Sequence, residues 1–257
     1  MDSRRFLCDE AGMRAAVFLA SLVAVLQAGC PSYSVIPDGD RGKIEGDHNG
    51  QLLFFRHSMY VGQFYDDDRF RLVHDRRFEE LTYLRTVEGD AIPPRPADGI
   101  IPAGTRVRVE RLEWPTGEVV FRRPLYTPRY TTWVVLRVAA DRGPEVTVER
   151  EQRHILLLPG GIVDSESFDL WFDAALSAED PNPWLLSLPE EQQHAIALKR
   201  AVAGMDYDAL TAALGFPDSI TRDVVGGATR EVAIFGAVSV VLKDGVVERV
   251  SDPSSAG

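Results

Sequence analysis

Three consecutive aspartates and two nearby histidines are the residues of this sequence whose chemistry best suits a metal ion. Asp66, Asp67 and Asp68 follow one another, with His57 before them and His74 after them. Carboxylate and imidazole groups are both common ligands of divalent metals. Consecutive side chains of an extended segment point to opposite faces, however, so we expect a solvated turn here and predict no metal site.

Two serines are the remaining candidates for nucleophilic catalysis. Ser58 follows His57 and Ser165 follows Asp164, but neither lies in the G-x-S-x-G pattern that exposes a catalytic serine. The sequence also has no G-x-G-x-x-G or phosphate-binding loop, and its five histidines form no HExxH pair. We therefore predict a protein that is not an enzyme and has no cofactor.

The N-terminal region carries the strongest signal in the sequence. Arg14 precedes Ala15 to Leu26, an uncharged and largely apolar segment of 12 residues. A membrane-spanning helix needs about 20 apolar residues, so this segment is too short to cross a bilayer. Its length and basic flank predict a secretory signal peptide over residues 1–29. Met13 is an alternative start to Met1.

The residues Ala28-Gly29-Cys30 resemble the lipobox of bacterial lipoproteins, although Gln27 stands where that family usually has an aliphatic residue. The resemblance implies that Cys30 is acylated, becomes the first residue of the mature protein and anchors it in a membrane. Pro31 replaces the aspartate that retains such proteins in the inner membrane of enteric bacteria, which implies the outer membrane, facing the periplasm. A secreted protein cut nearby and a retained signal anchor are the alternatives.

Charge is distributed unevenly along the 257 residues. The formal net charge of -11 argues against nucleic-acid binding, because phosphate contacts require a basic surface. Residues 30–163 contain 19 basic and 20 acidic residues, whereas residues 164–257 contain 6 and 16. The acidic part is interpreted as a soluble surface held away from anionic lipid or, alternatively, as a docking face for a basic partner.

Changes in composition divide the mature chain into parts and predict an α+β fold. The parts are a flexible tether (30–50), a β-rich domain (51–162), a helical connector (163–190), an α+β module (191–252) and a disordered tail (253–257). Alternation around Val107 and Val109, and an apolar stretch around Trp133, predict strands of a small barrel or sandwich. Its segment Ile100–Glu110 resembles the entry to an SH3-like barrel.

The C-terminal part combines helix caps with hairpin turns. Asp206 is placed to cap the start of a helix and Gly215 its end, with Pro217 just beyond, and Asp244-Gly245 predicts a tight hairpin. With these features, the part resembles the SmpA/OmlA family of outer-membrane assembly lipoproteins, whose relatives include β-lactamase-inhibitor-like domains. The resemblance implies two helices followed by three strands. The matching positions are Gly204-Met205, Leu210, Leu214-Gly215, Pro217 and Gly245-Val246-Val247.

One segment of the β-rich domain has the composition of a protein interface. Arg122–Trp133 concentrates arginine, tyrosine and tryptophan, which are enriched at binding hot spots. We expect Trp133 to fill the core and the arginines to solvate its rim. The alternative is that Tyr126, Arg129 and Tyr130 form an exposed binding edge.

These features predict a non-enzymatic envelope lipoprotein that binds another envelope component, in outer-membrane assembly or maintenance. Its partners would be the membrane, through Cys30, and a protein of the envelope, with no nucleic acid. The alternatives are a peptidoglycan-acting enzyme with a wall-binding β domain, and an inhibitor-like protein binder. A pocket with converging titratable groups would favour the enzyme, and an exposed apolar patch would favour a binder.

Overall fold

A computed structural model describes residues 36–138, 152–225 and 228–252. These residues form a mixed helix and strand fold with two β-sheets. The helices are α1 (Asp38–His48), α2 (Gly117–Arg122), α3 (Ser165–Ala175), α4 (Asn182–Leu185), α5 (Glu190–Ala197) and α6 (Tyr207–Leu214). The strands are β1 (Leu52–Phe55), β2 (Met59–Phe64), β3 (Asp67–His74), β4 (Gly99–Ile101), β5 (Arg106–Glu113), β6 (Trp133–Val138), β7 (Arg153–Leu157), β8 (Leu176–Ser177), β9 (Ser219–Val225), β10 (Ala228–Phe235), β11 (Val238–Lys243) and β12 (Val246–Ser251).

The larger sheet is open, in the order β4-β2-β3-β7-β6-β5-β1-β8. Of the barrel or sandwich that the sequence predicted, the barrel is therefore wrong, and the SH3-like resemblance is not confirmed. Neighbouring strands are antiparallel except β3 and β7, which pair in parallel. That parallel pair brings two parts of the chain that are distant in sequence to the inner part of the sheet. The short strands β4 and β8 form the two edges of the sheet.

The central strand β6 shows how this sheet is buried on both faces. Val134, Leu136 and Val138 belong to one apolar cluster, whereas Trp133 and Val135 belong to another. Alternate residues of a strand point to opposite faces, so the two clusters lie on the two sides of the sheet. The prediction of a doubly covered central strand is confirmed.

Helix α1 corrects the prediction of a flexible tether over residues 30–50. Ile36 and Ile44 are 2% and 3% exposed and pack into the same cluster as Phe168 and Phe172 of α3. Three glycines within α1 lower its intrinsic helix propensity, but burial of its apolar face stabilises it. Residues 30–35, including Cys30, lie outside the described residues, as does the predicted tail 253–257.

The smaller sheet has the order β12-β11-β10-β9 and packs against α5 and α6. It contains four strands instead of the three predicted, because residues 219–225 pair with β10. Gly245 follows Asp244 at the β11–β12 turn, and both have positive φ, of 83° and 51°. The predicted Asp-Gly hairpin is confirmed.

Both predicted caps of α6 are confirmed. The Asp206 carboxylate accepts a hydrogen bond from the Ala209 backbone N–H at 2.8 Å. Gly215 ends the helix with φ 89° and ψ −156°, a conformation available essentially to glycine alone. A Cβ atom at this position would lie 3.3 Å from Cδ2 of His57, so the helix end also packs closely against the larger sheet.

Candidate functional site

Residues 121–130, which we call the aromatic segment, extend from the end of α2 towards β6 and expose four large apolar side chains. The exposed fraction is 86% for Phe121, 74% for Leu125, 63% for Tyr126 and 55% for Tyr130. Single exposed apolar residues are ordinary, but a group of this size within ten residues is typical of an interaction site. The two predicted tyrosines are therefore exposed, together with two residues that the sequence analysis did not select.

The aromatic segment is held from below by a buried arginine. Nη1 of Arg123 donates to the carbonyl oxygens of Arg129 and Thr131 at 2.7 and 2.8 Å, and Nη2 donates to that of Glu113 at 2.9 Å. The guanidinium lies 3.7 Å from the centre of the Trp133 ring, in a cation–π contact. Burial lowers the pKa of Arg123 to about 10 although the nearby Glu113 opposes this, so the side chain remains charged at neutral pH.

Arg129 corrects the prediction that it shares an exposed edge with the tyrosines. Its side chain is half-buried, and its Nε donates to the Val120 carbonyl oxygen at 2.8 Å. It therefore connects the aromatic segment to α2. Trp133 is 1% exposed and fills the core, so the expectation that it is a core residue is confirmed.

A groove of about 770 Å³ runs beside the aromatic segment. Asp38 and Arg41 of α1 line it together with Val119 and Arg122 of α2. The first turn of α1 thus faces the same groove as the helix that leads into the aromatic segment. Five arginines and three carboxylates line the groove, and ion pairs such as Asp38–Arg41 and Glu113–Arg111 neutralise part of this basic excess.

A second group of buried polar residues lies where the two sheets meet. Nζ of Lys199 donates to the carbonyl oxygens of Ser58 and Leu214 at 2.7 and 3.1 Å, and it lies 5.3 Å from the ring centre of Tyr60. Burial lowers the pKa of Lys199 to about 8, with a smaller opposing effect of the Asp75 charge. Lys199 therefore links β2 of the larger sheet to the end of α6.

His57 lies beside this lysine and lines a pocket of about 420 Å³. It is 2% exposed, and neither ring nitrogen has a hydrogen-bond partner among residues 36–138, 152–225 and 228–252. Burial and the Lys199 charge lower the pKa of His57 to about 4 against the attraction of Asp75, so the ring is neutral at pH 7. Pro217, which was predicted to be a structural residue, lines the same pocket and therefore lies at the junction of the two sheets.

A short chain of polar side chains also lines this pocket. Nδ1 of His74 lies 2.8 Å from Oδ1 of Asp75, and its Nε2 lies 3.1 Å from the Tyr83 hydroxyl. Burial opposes ionisation of Asp75, but the hydrogen bond with His74 and the nearby positive charge of Lys199 outweigh it and lower the pKa of this carboxyl. An ionised carboxylate and a neutral imidazole thus face one pocket.

The structure separates the metal and nucleophile candidates of the sequence. Asp67 forms a two-point ion pair with Arg69, while Asp66 and Asp68 are exposed. The Ser58 hydroxyl donates to the Ile196 carbonyl oxygen at 2.6 Å and accepts from the Ala103 N–H. Its proton is therefore engaged in joining two elements. The described part of the chain contains no group of three potential metal ligands.

Two of the residues that matter most here were missed by the sequence analysis. Arg123 and Lys199 are buried cations whose partners are backbone carbonyls from separate parts of the chain. A buried partner of this kind leaves no spacing pattern in the sequence. The only available signal was that Arg123 lies between Arg122 and Pro124 in a segment rich in aromatic residues.

No family model matches this chain, and neither a curated protein nor a solved structure shows significant similarity to it. Among the described residues, no helix is long and apolar enough to cross a membrane.

Proposed function

We propose that this protein is a lipid-anchored, non-enzymatic component of a bacterial cell envelope that docks another envelope component on the aromatic segment. The observation that carries the proposal is the exposure of Phe121, Leu125, Tyr126 and Tyr130 on a segment fixed by Arg123. Rigid aromatic side chains bind with a small loss of conformational entropy, which favours a preformed docking surface. The lipobox-like Ala28-Gly29-Cys30 supports the anchor, and Pro31 supports the outer membrane.

Acylation at Cys30 has a matched control within the chain. Radiolabelled palmitate should be incorporated into the wild type and into Cys8→Ser, because Cys8 lies in the segment removed with the signal peptide. Cys30→Ser should incorporate none. Equal labelling of all three proteins would refute the anchor.

Docking on the aromatic segment is tested by chemical crosslinking in intact cells followed by recovery of the protein. Leu125→Ser with Tyr126→Ser should lose the crosslinked component at an unchanged melting temperature, because both side chains point to solvent. Val224→Ser is the matched control, since Val224 is 70% exposed on β9. If the double variant retained the component as the control does, docking would lie elsewhere on the protein.

A finer proposal concerns the C-terminal module. Helices α5 and α6, the Gly215 cap and the Gly245 hairpin support an SmpA/OmlA-like module at residues 191–252, with β9 as an added strand. A role in outer-membrane assembly or maintenance, or an inhibitor-like binding role, would follow from that likeness. An experimental structure with a different strand order would contradict it.

The pocket at the sheet junction favours an envelope enzyme acting on peptidoglycan as a second candidate function. It has the size of a small-molecule site, and His57 and Asp75 converge on it. A neutral imidazole near an ionised carboxylate is suited to general base catalysis. If this candidate is correct, purified protein releases soluble fragments from peptidoglycan and His57→Gln does not. Absence of release from the wild type would eliminate it.

A further inference from the structure

We infer that the envelope component docked on the aromatic segment is the surface of the same bilayer that holds the acyl chains of Cys30. This inference rests on the proposed lipid anchor and names the partner of the proposed docking site. It follows from where the described chain begins, from how far Cys30 can reach and from the chemistry of the exposed side chains.

The described chain begins beside the aromatic segment. Ile36 is buried in the apolar cluster that includes Trp114, whose indole N–H donates to Glu45 of α1 at 2.5 Å. The first turn of α1 shares its groove with Val119 and Arg122 of α2. The first turn of α1 and the end of α2, where the aromatic segment begins, therefore line one groove.

The distance from this end to the anchor is limited by covalent geometry. Five residues separate Cys30 from Ile36. A fully extended chain spans at most about 3.6 Å per residue, so the acylated cysteine lies within about 20 Å of Ile36. The surface around the start of α1 therefore stays close to the bilayer in every arrangement of the intervening chain.

The aromatic segment has the chemistry of a surface that sits at a membrane interface. Phe121 and Leu125 supply apolar bulk, and Tyr126 and Tyr130 combine an apolar ring with a polar hydroxyl, as aromatic residues at membrane interfaces do. Arg122 is 66% exposed at the end of α2 and can meet anionic headgroups. Residues 117–130 contain three arginines and a single glutamate, in contrast to the acidic residues 164–257.

A second attachment also has an energetic reason. Lipid chains hold a protein at the membrane without fixing its orientation, whereas a shallow apolar contact adds both affinity and a defined orientation. Anionic lipid repels the acidic C-terminal part and attracts the exposed guanidinium of Arg122. Both effects favour the same orientation, with the aromatic segment on the lipid and the acidic part towards the periplasm.

The experiment uses purified, acylated protein reconstituted in vesicles of phosphatidylethanolamine and phosphatidylglycerol at a 3:1 ratio. The mature chain has Cys30 as its single cysteine, so Tyr126→Cys introduces one free thiol for an environment-sensitive fluorophore. Phe121→Cys is a second probe in the same segment, and Val224→Cys is the exposed control. Nitroxide-labelled lipid and aqueous iodide report the depth of each probe.

We expect the probes at residues 121 and 126 to be quenched several-fold more by nitroxide lipid than the control, and several-fold less by iodide. Equal quenching at all three positions in protein that incorporates palmitate would overturn this inference and leave the anchor intact. Shielding of residue 126 only after addition of envelope proteins would also overturn it, in favour of a protein partner. Failure to incorporate palmitate at Cys30 would instead refute the proposed anchor, and this inference with it.

Discussion

The aromatic segment and the junction between the sheets are each fixed by a buried cation. Arg123 and Lys199 both donate to backbone carbonyls of neighbouring segments, and each lies over an aromatic ring, Trp133 and Tyr60 respectively. The surroundings of the two cations differ. Arg123 supports a segment whose apolar side chains are exposed, whereas Lys199 joins two elements whose apolar side chains are buried. The aromatic segment is therefore both exposed and ordered. A preformed docking surface requires both properties.

The two regions also differ in their response to pH. Arginine keeps its charge when buried, so the contacts of Arg123 persist throughout the physiological range. The junction instead contains His57 and Lys199, whose pKa values are lowered to about 4 and about 8. Lys199 is charged in both the folded and the unfolded chain below pH 8, so acid acts through His57. We therefore expect acid to weaken the junction before it affects the aromatic segment.

The largest expected effect is the loss of the buried cation beneath the aromatic segment. Arg123→Met leaves three carbonyl oxygens without their donor and should lower the free energy of unfolding by about 4 kcal/mol. Arg122→Met is the control, because its side chain is 66% exposed and its ion pair with Glu118 is long, at 3.7 Å. Urea unfolding measures both, and similar values for the two variants would show that Arg123 does not hold the segment.

The next effect concerns acid and the junction. The pKa of His57 is lowered from 6.5 to about 4, so the unfolded chain binds a proton that the folded chain excludes between these values. This contribution to stability, about 3 kcal/mol, is complete above pH 6.5 and is lost as the pH falls to 4. His154, whose pKa burial also lowers to about 4, adds a similar contribution.

His57→Leu and His154→Leu should therefore each remove a similar part of the pH dependence of unfolding between pH 6.5 and 4. Urea titrations at half-unit intervals of pH give the slope for each variant. An unchanged slope in His57→Leu would mean that His57 is accessible to protons in the folded protein, and the interpretation of its burial would be wrong.

A smaller effect is expected where α6 meets the larger sheet. Gly215→Val should cost about 2 kcal/mol, because a side chain at φ 89° and ψ −156° is strained and would press on His57. Gly245→Val is a useful comparison, since that glycine also has positive φ but a Cβ atom there would have no neighbour within 4 Å among the described residues. If Gly215→Val cost less than Gly245→Val, close packing at the junction would not contribute.

The smallest effect is the loss of the N-cap of α6. Asp206→Ala should cost about 1 kcal/mol, because the Ala209 N–H loses its acceptor. Asp206→Asn should retain most of the stability, since an amide oxygen also caps a helix. Thermal unfolding distinguishes the two variants, and equal losses would indicate that charge, not capping, is the contribution of Asp206.

Local features of the sequence were sufficient to predict the elements that local chemistry determines. Asp206, Gly215 and the Asp244-Gly245 turn are specified by backbone conformation and by hydrogen bonds within a few residues. The strand around Trp133 was also predictable, because a run of apolar residues is required when both faces of a strand are buried.

Features that depend on distant contacts were not predictable. Helix α1 contains three glycines and resembles a linker until Ile36 and Ile44 meet α3. The open sheet depends on the parallel pairing of β3 with β7, which are far apart in sequence. Arg129 was predicted to be exposed because arginine is frequent at protein interfaces. Its side chain instead contacts the Val120 carbonyl oxygen, and that contact depends on how the chain turns after α2.

The central claim is that the aromatic segment docks on an envelope component next to the anchor. Its most direct test replaces Tyr126 with a photoreactive benzoylphenylalanine in living cells, with the same replacement at Val224 as the control. Irradiation followed by mass spectrometry identifies what each position contacts. We predict adducts at residue 126, with lipid as the main product, and none at residue 224. Absence of any adduct at residue 126, or equal adducts at both positions, would contradict the account.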